Sequence, residues 1–306
     1  MKWYHFGLIA MLCFALAFVS AQAATVNTNS QSMVIVNATT SEVVAGKNID
    51  TVRPIASITK LMTAIVVIET KLPMDEKITI TKDDVQTASL RRQTFGASLP
   101  IGTVITRENL LLLTLMNSHN RAAAALGRNY PGGLPMFVQL MNMTADRIGM
   151  KSSHFAEPTG LSANNTSTAH DLALLVQYAS QYEEIQRLST SSKAITSYEY
   201  RDKIRDVQFG TTNRLLVTPS WDIDLQKTGY TGAAGRCIVM LTNVKDSPFI
   251  VVLLNSSSTI DRAADAIRIR GWLETGYVPT ARQVRALNPY KTKSRVKSKH
   301  KRHKRR

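Results

Sequence analysis

The chain has 306 residues, of which 44% are hydrophobic, 20% are charged and 7% are aromatic. This composition excludes an intrinsically disordered chain and a membrane protein with several spans, and the length suits one large domain or two modest ones. The formal net charge of +16 is unevenly placed, because ten Lys and Arg residues and no acids lie between residues 291 and 306. This distribution of charge indicates a mildly basic body with a polycationic tail.

The N-terminal segment has the composition of a secretory signal peptide. Lys2 precedes an apolar run over residues 6–19, and Ala21-Gln22-Ala23 supplies small residues at the spacing of a cleavage site. We predict a signal peptide at residues 1–23 and therefore an exported protein. A membrane anchor is the alternative, although the run is shorter than the roughly 20 residues of a spanning helix.

The predicted elements place strands at both ends of the chain and helices between them. Strands are predicted at 33–37, 42–47, 224–230, 236–243 and 249–254. Helices are predicted at 55–68, 109–115, 121–127, 136–148, 169–179 and 260–275. This order predicts an α/β (α+β) fold, with a central antiparallel sheet flanked by helices and a mostly helical subdomain. One domain is expected over residues 24–285, followed by a basic, disordered tail at 286–306.

The first candidate motif, Ser57-Ile58-Thr59-Lys60, opens the buried helix predicted at 55–68. Residues three apart on a helix share a face, so the lysine amine can lie beside the serine hydroxyl. A lysine kept neutral by burial can take the proton of the hydroxyl and turn it into a nucleophile. The spacing alone is weak, since Ser294 and Lys297 repeat it in the tail, and Ser57 could equally be a helix N-cap.

The second candidate motif, Ser118-His119-Asn120, precedes the helix predicted at 121–127. A hydroxyl and an amide two residues apart in a loop can point into one cleft, where they could relay a proton and hold a substrate amide. The alternative is that Asn120 caps the following helix. Ser162-Ala163-Asn164 shows the same pattern and is a rival.

The third candidate motif, Lys227-Thr228-Gly229-Tyr230, lies on the first of the late strands. A glycine in a strand allows close approach of another backbone, and an edge strand can pair with a peptide substrate. The alternative is a polar edge strand on which the lysine charge only prevents pairing with another chain.

Together and in this order, the three motifs resemble the active-site set of penicillin-binding proteins and serine β-lactamases. The surrounding segments at 53–64, 118–123, 157–162 and 227–232 are similar to the low-molecular-mass penicillin-binding D-alanyl-D-alanine peptidases, and the resemblance runs from about Val34 to Gly276. It implies the fold shared by serine β-lactamases and D,D-peptidases, a location in the periplasm, with membrane association as an alternative, and no metal or cofactor.

The resemblance also implies a role for each motif residue. Ser57 would be the acylated nucleophile, Lys60 its general base, and Ser118 the group that passes a proton to the leaving amine. Asn120 would hold the substrate amide, Lys227 would supply positive charge, and Thr228 would bind the carboxylate side of the substrate. Gly229 belongs to the same substrate-binding strand, and the backbone N–H groups of Ser57 and Tyr230 would form the oxyanion hole.

The implied partners are peptidoglycan peptides as substrates and β-lactam antibiotics as covalent inhibitors. The tail could contact anionic wall polymer or a membrane surface, and no nucleic acid is expected.

The favoured activity is a D,D-endopeptidase that opens cross-links, because the segment 256–259 lacks the basic residue found there in the family's carboxypeptidases. Arg262 could substitute for that residue, so a D,D-carboxypeptidase is the first alternative. A β-lactamase with Glu157 as deacylating base is disfavoured by the flanking sequence. A non-catalytic wall-binding or β-lactam-sensing protein is the remaining alternative.

Overall fold

The computed structural model describes residues 26–85 and 99–290, so the predicted signal peptide and residues 291–306 lie outside it. The strands are β1 Ser32–Asn37, β2 Val43–Lys47, β3 Arg53–Pro54, β4 Lys77–Thr79, β5 Val104–Thr106, β6 Thr166–Ser167, β7 Lys193–Tyr200, β8 Lys203–Gly210, β9 Ile223–Thr231, β10 Gly235–Val244 and β11 Ser247–Ser256. The α-helices are α1 Thr59–Glu69, α2 Arg107–Leu115, α3 Asn120–Arg128, α4 Gly133–Arg147, α5 Ala169–Ala179, α6 Glu183–Thr190, α7 Thr259–Thr275 and α8 Ala281–Leu287. No helix in these ranges is long and apolar enough to cross a bilayer.

The main sheet joins the two ends of the chain, in the order β2-β1-β11-β10-β9 with every pair antiparallel. Val34 pairs with Val252, Val252 with Val239, and Val239 with Lys227. Because side chains of paired residues project from the same face, Lys227 shares the face of these buried valines. The edge strand β9 thereby carries the third motif into the interior.

Each face of the main sheet is buried under helices. One face packs on α7 through apolar residues that alternate along the strands: Met33, Ile35, Ile238, Met240, Val251, Leu253, Ala263, Ala266 and Ile269. The other face packs on α5 and joins the core around α1. Burying one large aliphatic side chain contributes about 1.5–3 kcal/mol, so this two-sided core can hold the fold without a disulfide.

The helical part is organised around α1, which contacts α2, α3, α4, α5 and α6. Nine consecutive residues of α1, from Thr59 to Val67, are buried. A helix that is apolar on nearly all sides has to lie inside the protein, as the sequence predicted. The first motif therefore opens the central helix of the core.

The architecture confirms the predicted α+β fold, but the sequence did not predict the second sheet, in the order β4-β5-β7-β8. Its strands β4 and β5 have only three residues each, too few to establish an alternating pattern, and β8 is exposed over its first four residues, so no buried face shows there. Helix α8 also extends past the predicted domain end at 285, and Asn288 and Tyr290 pack onto the domain.

Candidate active site

Ser57 lies in a tight turn, the 3-10 helix Ala56–Ile58, which leads directly into α1. Ala56 has φ +49°, a left-handed backbone conformation that residues other than glycine rarely adopt. Two glycines pack against this turn. A Cβ atom on Gly160 would lie 2.0 Å from the Ala56 carbonyl oxygen, and one on Gly229 would lie 3.1 Å from the Ser57 nitrogen. The turn is thus clamped between backbone segments that have no room for side chains.

Lys60 is fully buried, and its amine lies beside the Ser57 hydroxyl. The Nζ atom is 2.9 Å from Ser57 Oγ and 2.8 Å from Asn120 Oδ1, and it donates a short hydrogen bond to the Thr159 carbonyl oxygen. A neutral amine has two N–H groups and one lone pair. Donation to Asn120 and Thr159 therefore leaves the lone pair for the Ser57 proton.

The environment of Lys60 favours this neutral form. Burial lowers the pKa of Lys60 to about 7, although the nearby Glu157 carboxylate acts in the opposite direction. An amine with a pKa near 7 is about half deprotonated at neutral pH and can act as a general base. The structure thus supports the base role predicted for Lys60.

The second motif divides its three side chains between the cleft and the core. Ser118 has φ +61°, and the side chains of Ser118 and Asn120 line the same cleft as Ser57. His119 is buried, caps α3 by accepting a hydrogen bond from the Ala122 N–H at Nδ1, and packs edge-on against Phe209. The helix-capping role considered for Asn120 thus belongs to His119, which leaves the Asn120 amide for Lys60.

The third motif alternates across β9. Gly229 faces the nucleophile turn, and Lys227 is fully buried, with its Nζ atom donating to the Thr228 carbonyl oxygen at 2.9 Å. Thr228 pairs with Ile238 on the other face of the strand, and its hydroxyl lies 2.5 Å from that of Thr212.

The environment of Lys227 works against the positive charge that was predicted for it. Burial lowers the pKa of Lys227, and the positive charges of Lys60 and Arg262 lower it further. Arg262 keeps its charge more firmly than a lysine in such a place, because guanidinium is the stronger base. Arg262 is therefore a second source of the positive charge that was predicted for Lys227.

A cleft of about 600 Å³ opens over the nucleophile. This volume lies within the usual range of small-ligand sites. Ser57, Ser118, Asn120, Thr228, Gly229 and Tyr230 line it, whereas Lys60 and Lys227 lie beneath its wall. Three arginines and a tyrosine from distant segments also belong to the lining: Arg214, Arg236, Arg262 and Tyr290.

Of these four, only Arg262 was considered from the sequence. Arg236 pairs with Tyr230 across β9 and β10, and its guanidinium carbon lies 3.5 Å from the centre of the Tyr230 ring. That pairing would follow from the register of the predicted hairpin. The sequence carried no indication that Arg214 and Tyr290 reach the cleft.

Glu157 shapes the loop next to the nucleophile turn. Its carboxylate accepts hydrogen bonds from the N–H groups of Thr159, at 2.6 Å, and Gly160, at 2.7 Å, and from the Asn165 side chain. The loop in turn presents the Thr159 carbonyl oxygen to Lys60. These contacts favour the structural role for Glu157 over the role of a deacylating base.

The rival Ser162-Ala163-Asn164 motif forms a local turn, in which Ser162 Oγ accepts from the Asn164 N–H, and neither Ser162 nor Asn164 lines the cleft. Among the residues of 26–85 and 99–290, no cluster of His, Cys, Asp or Glu is arranged to hold a metal ion.

A serine hydroxyl beside a buried lysine amine, in a cleft between a helical core and the edge of an antiparallel sheet, is the arrangement of a serine hydrolase of the acyl-transfer class. Residues 18–258 match the family model described as D-alanyl-D-alanine carboxypeptidase. The chain belongs to this family of serine D,D-peptidases, which confirms the resemblance drawn from the motifs.

Relatives of two activities are similar to the chain. It is 43% identical to a D-alanyl-D-alanine endopeptidase of Pseudomonas aeruginosa and 41% identical to one of Escherichia coli, each over 81% of this chain and 78% of the relative. A D-alanyl-D-alanine carboxypeptidase of Bacillus subtilis is 28% identical over 78% of this chain and 61% of the relative. The crystal structure of the Streptomyces K15 DD-transpeptidase superposes with a TM-score of 0.76 at 26% identity, covering 82% of this chain and 98% of that one.

Proposed function

We propose that this chain is a D,D-endopeptidase that hydrolyses D-alanyl cross-links, of the D-alanine to diaminopimelate type, through an acyl-enzyme on Ser57. The observation that carries the chemistry is the 2.9 Å contact between Lys60 Nζ and Ser57 Oγ at the floor of an open cleft. The endopeptidase names of the two relatives above 40% identity support the choice of bond.

In the proposed reaction, neutral Lys60 takes the proton of Ser57 Oγ as that oxygen attacks the D-alanyl carbonyl carbon. The N–H groups of Ser57 and Tyr230 stabilise the negative charge on the carbonyl oxygen, and the Asn120 amide holds the substrate backbone. The C–N bond then breaks, and the leaving amine receives a proton through the Ser118 hydroxyl. Lys60 then takes a proton from a water molecule that attacks the resulting ester. The peptide leaves with a carboxylate on its terminal D-alanine, and Ser57 regains its proton.

The cations of the cleft bear on the alternative activity. The segment 256–259 lacks a basic side chain, but Arg262 lines the cleft and donates from Nη1 to the Cys237 carbonyl oxygen at 3.1 Å. A D-alanine to diaminopimelate bond carries a carboxylate next to the scissile nitrogen, as a terminal D-alanyl-D-alanine bond does. Thr228 and the fixed cation Arg262 therefore suit both substrates, and the cleft charges favour neither.

The choice of bond is tested with purified mature protein on cross-linked muropeptide dimers and on uncross-linked pentapeptide monomers, followed by liquid chromatography with mass spectrometry. We expect dimers to become monomers while most pentapeptide keeps its terminal alanine. The Ser57→Ala variant should do neither. Loss of one alanine from pentapeptide with intact dimers would make the protein a carboxypeptidase, and inert wild-type protein would favour the non-catalytic alternative.

We further propose that residues 1–23 direct export to the periplasm and that β-lactams acylate Ser57. The ten cations of 291–306 support contact with anionic wall polymer or a membrane surface. These cations would also bind nucleic acid in vitro, but an exported protein rarely encounters nucleic acid.

A further inference from the structure

The C-terminal segment after α7 returns to the active-site cleft. Helix α8 begins at a capping box formed by Thr280 and Gln283, and the Asn288 side chain donates to the Ile260 carbonyl oxygen at 2.9 Å. These contacts bring Tyr290 to the cleft, which it lines. The segment lies beyond the residues 18–258 that match the family model.

The Tyr290 phenol joins two other parts of the cleft wall. Its oxygen accepts from the Arg214 backbone N–H at 2.8 Å and donates to the Thr212 carbonyl oxygen at 3.3 Å. The Arg262 guanidinium lines the same cleft, and its interaction with the Tyr290 phenol acts against the lowering of the Arg262 pKa by burial. One hydroxyl therefore ties the C-terminal segment to the segment 212–214, next to Arg262 of α7.

Both of these parts of the wall position groups that line the cleft. Thr212 holds the Thr228 hydroxyl at 2.5 Å, and Arg262 is 4% exposed, with one nitrogen bonded to the Cys237 carbonyl oxygen. A guanidinium and a hydroxyl at fixed positions form a site for a carboxylate. Without the phenol oxygen, the Thr212 and Arg214 backbone would lose its hydrogen bonds to Tyr290, and Arg262 would lose a neighbouring oxygen.

We propose that Tyr290 is a positioning residue, which holds Arg262 and Thr228 in place for the carboxylate on the leaving side of the substrate. This role rests on the proposed D,D-peptidase function. It makes the C-terminal segment a wall of the cleft and a determinant of specificity.

The test compares two acyl-D-alanyl thioesters whose leaving groups end in a carboxylate or in a neutral carboxamide. The variant is Tyr290→Phe in the full mature chain, and Tyr277→Phe is the control, because Tyr277 is 81% exposed and does not line the cleft. For the carboxylate thioester, we expect kcat/KM of Tyr290→Phe to fall about tenfold, mostly through KM, the usual effect of losing a hydrogen bond to a charged group. The neutral thioester should change less than about twofold.

Arg262→Gln, alone and combined with Tyr290→Phe, gives a second measurement. If Tyr290 acts through Arg262, its replacement should have a smaller effect on the carboxylate thioester once Arg262 is gone. Equal losses for both thioesters, unchanged kinetics, or fully additive effects would overturn the positioning role while leaving the proposed function intact. Wild-type protein that hydrolysed neither thioester would contradict the proposed function itself.

Discussion

The Lys60→Met variant is expected to be acylated by a β-lactam at least about 10³-fold more slowly than the wild-type protein, because the Ser57 hydroxyl loses the base beside it. Methionine is similar in length and apolar, so it suits the buried site. The measurement is the rate constant of acylation by a fluorescent penicillin. Lys151→Met is the matched control, since the side chain of Lys151 is 73% exposed, and its rate should equal that of the wild type.

The same lysine predicts the pH dependence of acylation. With the pKa of Lys60 at about 7, protonated Lys60 cannot accept the serine proton below that pH, and neutral Lys60 can accept it above. The wild-type rate should therefore rise through a midpoint near the pKa and level off about one pH unit higher, and the residual rate of Lys60→Met should lack this rise. A wild-type profile that is flat from about pH 6 to about pH 8, or a Lys60→Met rate close to wild type, would contradict the base role.

Gly160→Ala is expected to destabilise the protein and to disrupt the nucleophile turn. The new Cβ would lie 2.0 Å from the Ala56 carbonyl oxygen and 2.8 Å from the Ser57 nitrogen, and these are backbone atoms that cannot rotate away. Gly160 also has φ +80°, which is costly for alanine. We expect a loss of about 3 kcal/mol or more in the free energy of unfolding, together with a large fall in the acylation rate.

Gly276→Ala separates the clash from the backbone strain. Gly276 has φ +77°, and a Cβ atom added to it would meet no other atom within 4 Å, so alanine there carries the strain without the clash. Thermal and denaturant unfolding of both variants should show a clearly smaller loss for Gly276→Ala, about 1 kcal/mol, with normal acylation. Equal losses in the two variants would show that the packing of Gly160 against Ala56 is unimportant.

The parts of the fold that could be predicted from the sequence are those with local patterns. Helix α5, Ala169–Ala179, has the predicted bounds, and the late strands and α7 differ from prediction by only a few residues at each end. The hairpin of β7 and β8 escaped prediction because its exposed strands carry apolar residues such as Ile195 and Ile204 at the surface. In β7 the buried Thr196 and Tyr198 alternate with exposed residues, but the apolar Ile195 is one of the exposed residues, so hydrophobicity does not follow burial.

The candidate site likewise contains residues that local patterns predict and residues that they do not. Ser57, Lys60, Ser118 and Asn120 belong to short motifs, and the structure brings all four together at one cleft. Arg214 and Tyr290 reach the same cleft through contacts between segments 76 residues apart, which no local pattern encodes. The close packing of Gly160 on Ala56 is likewise a property of the fold.

The most direct test of the central claim is to identify the residue that a β-lactam acylates. The mature protein is incubated with penicillin, and the adduct is located by mass spectrometry of the intact protein and of its proteolytic fragments. We predict one adduct per chain, on the fragment that contains Ser57, and none on a folded Ser57→Ala variant. A folded wild-type protein that forms no adduct, or one that carries it on a different residue, would contradict the assignment of Ser57 as the nucleophile.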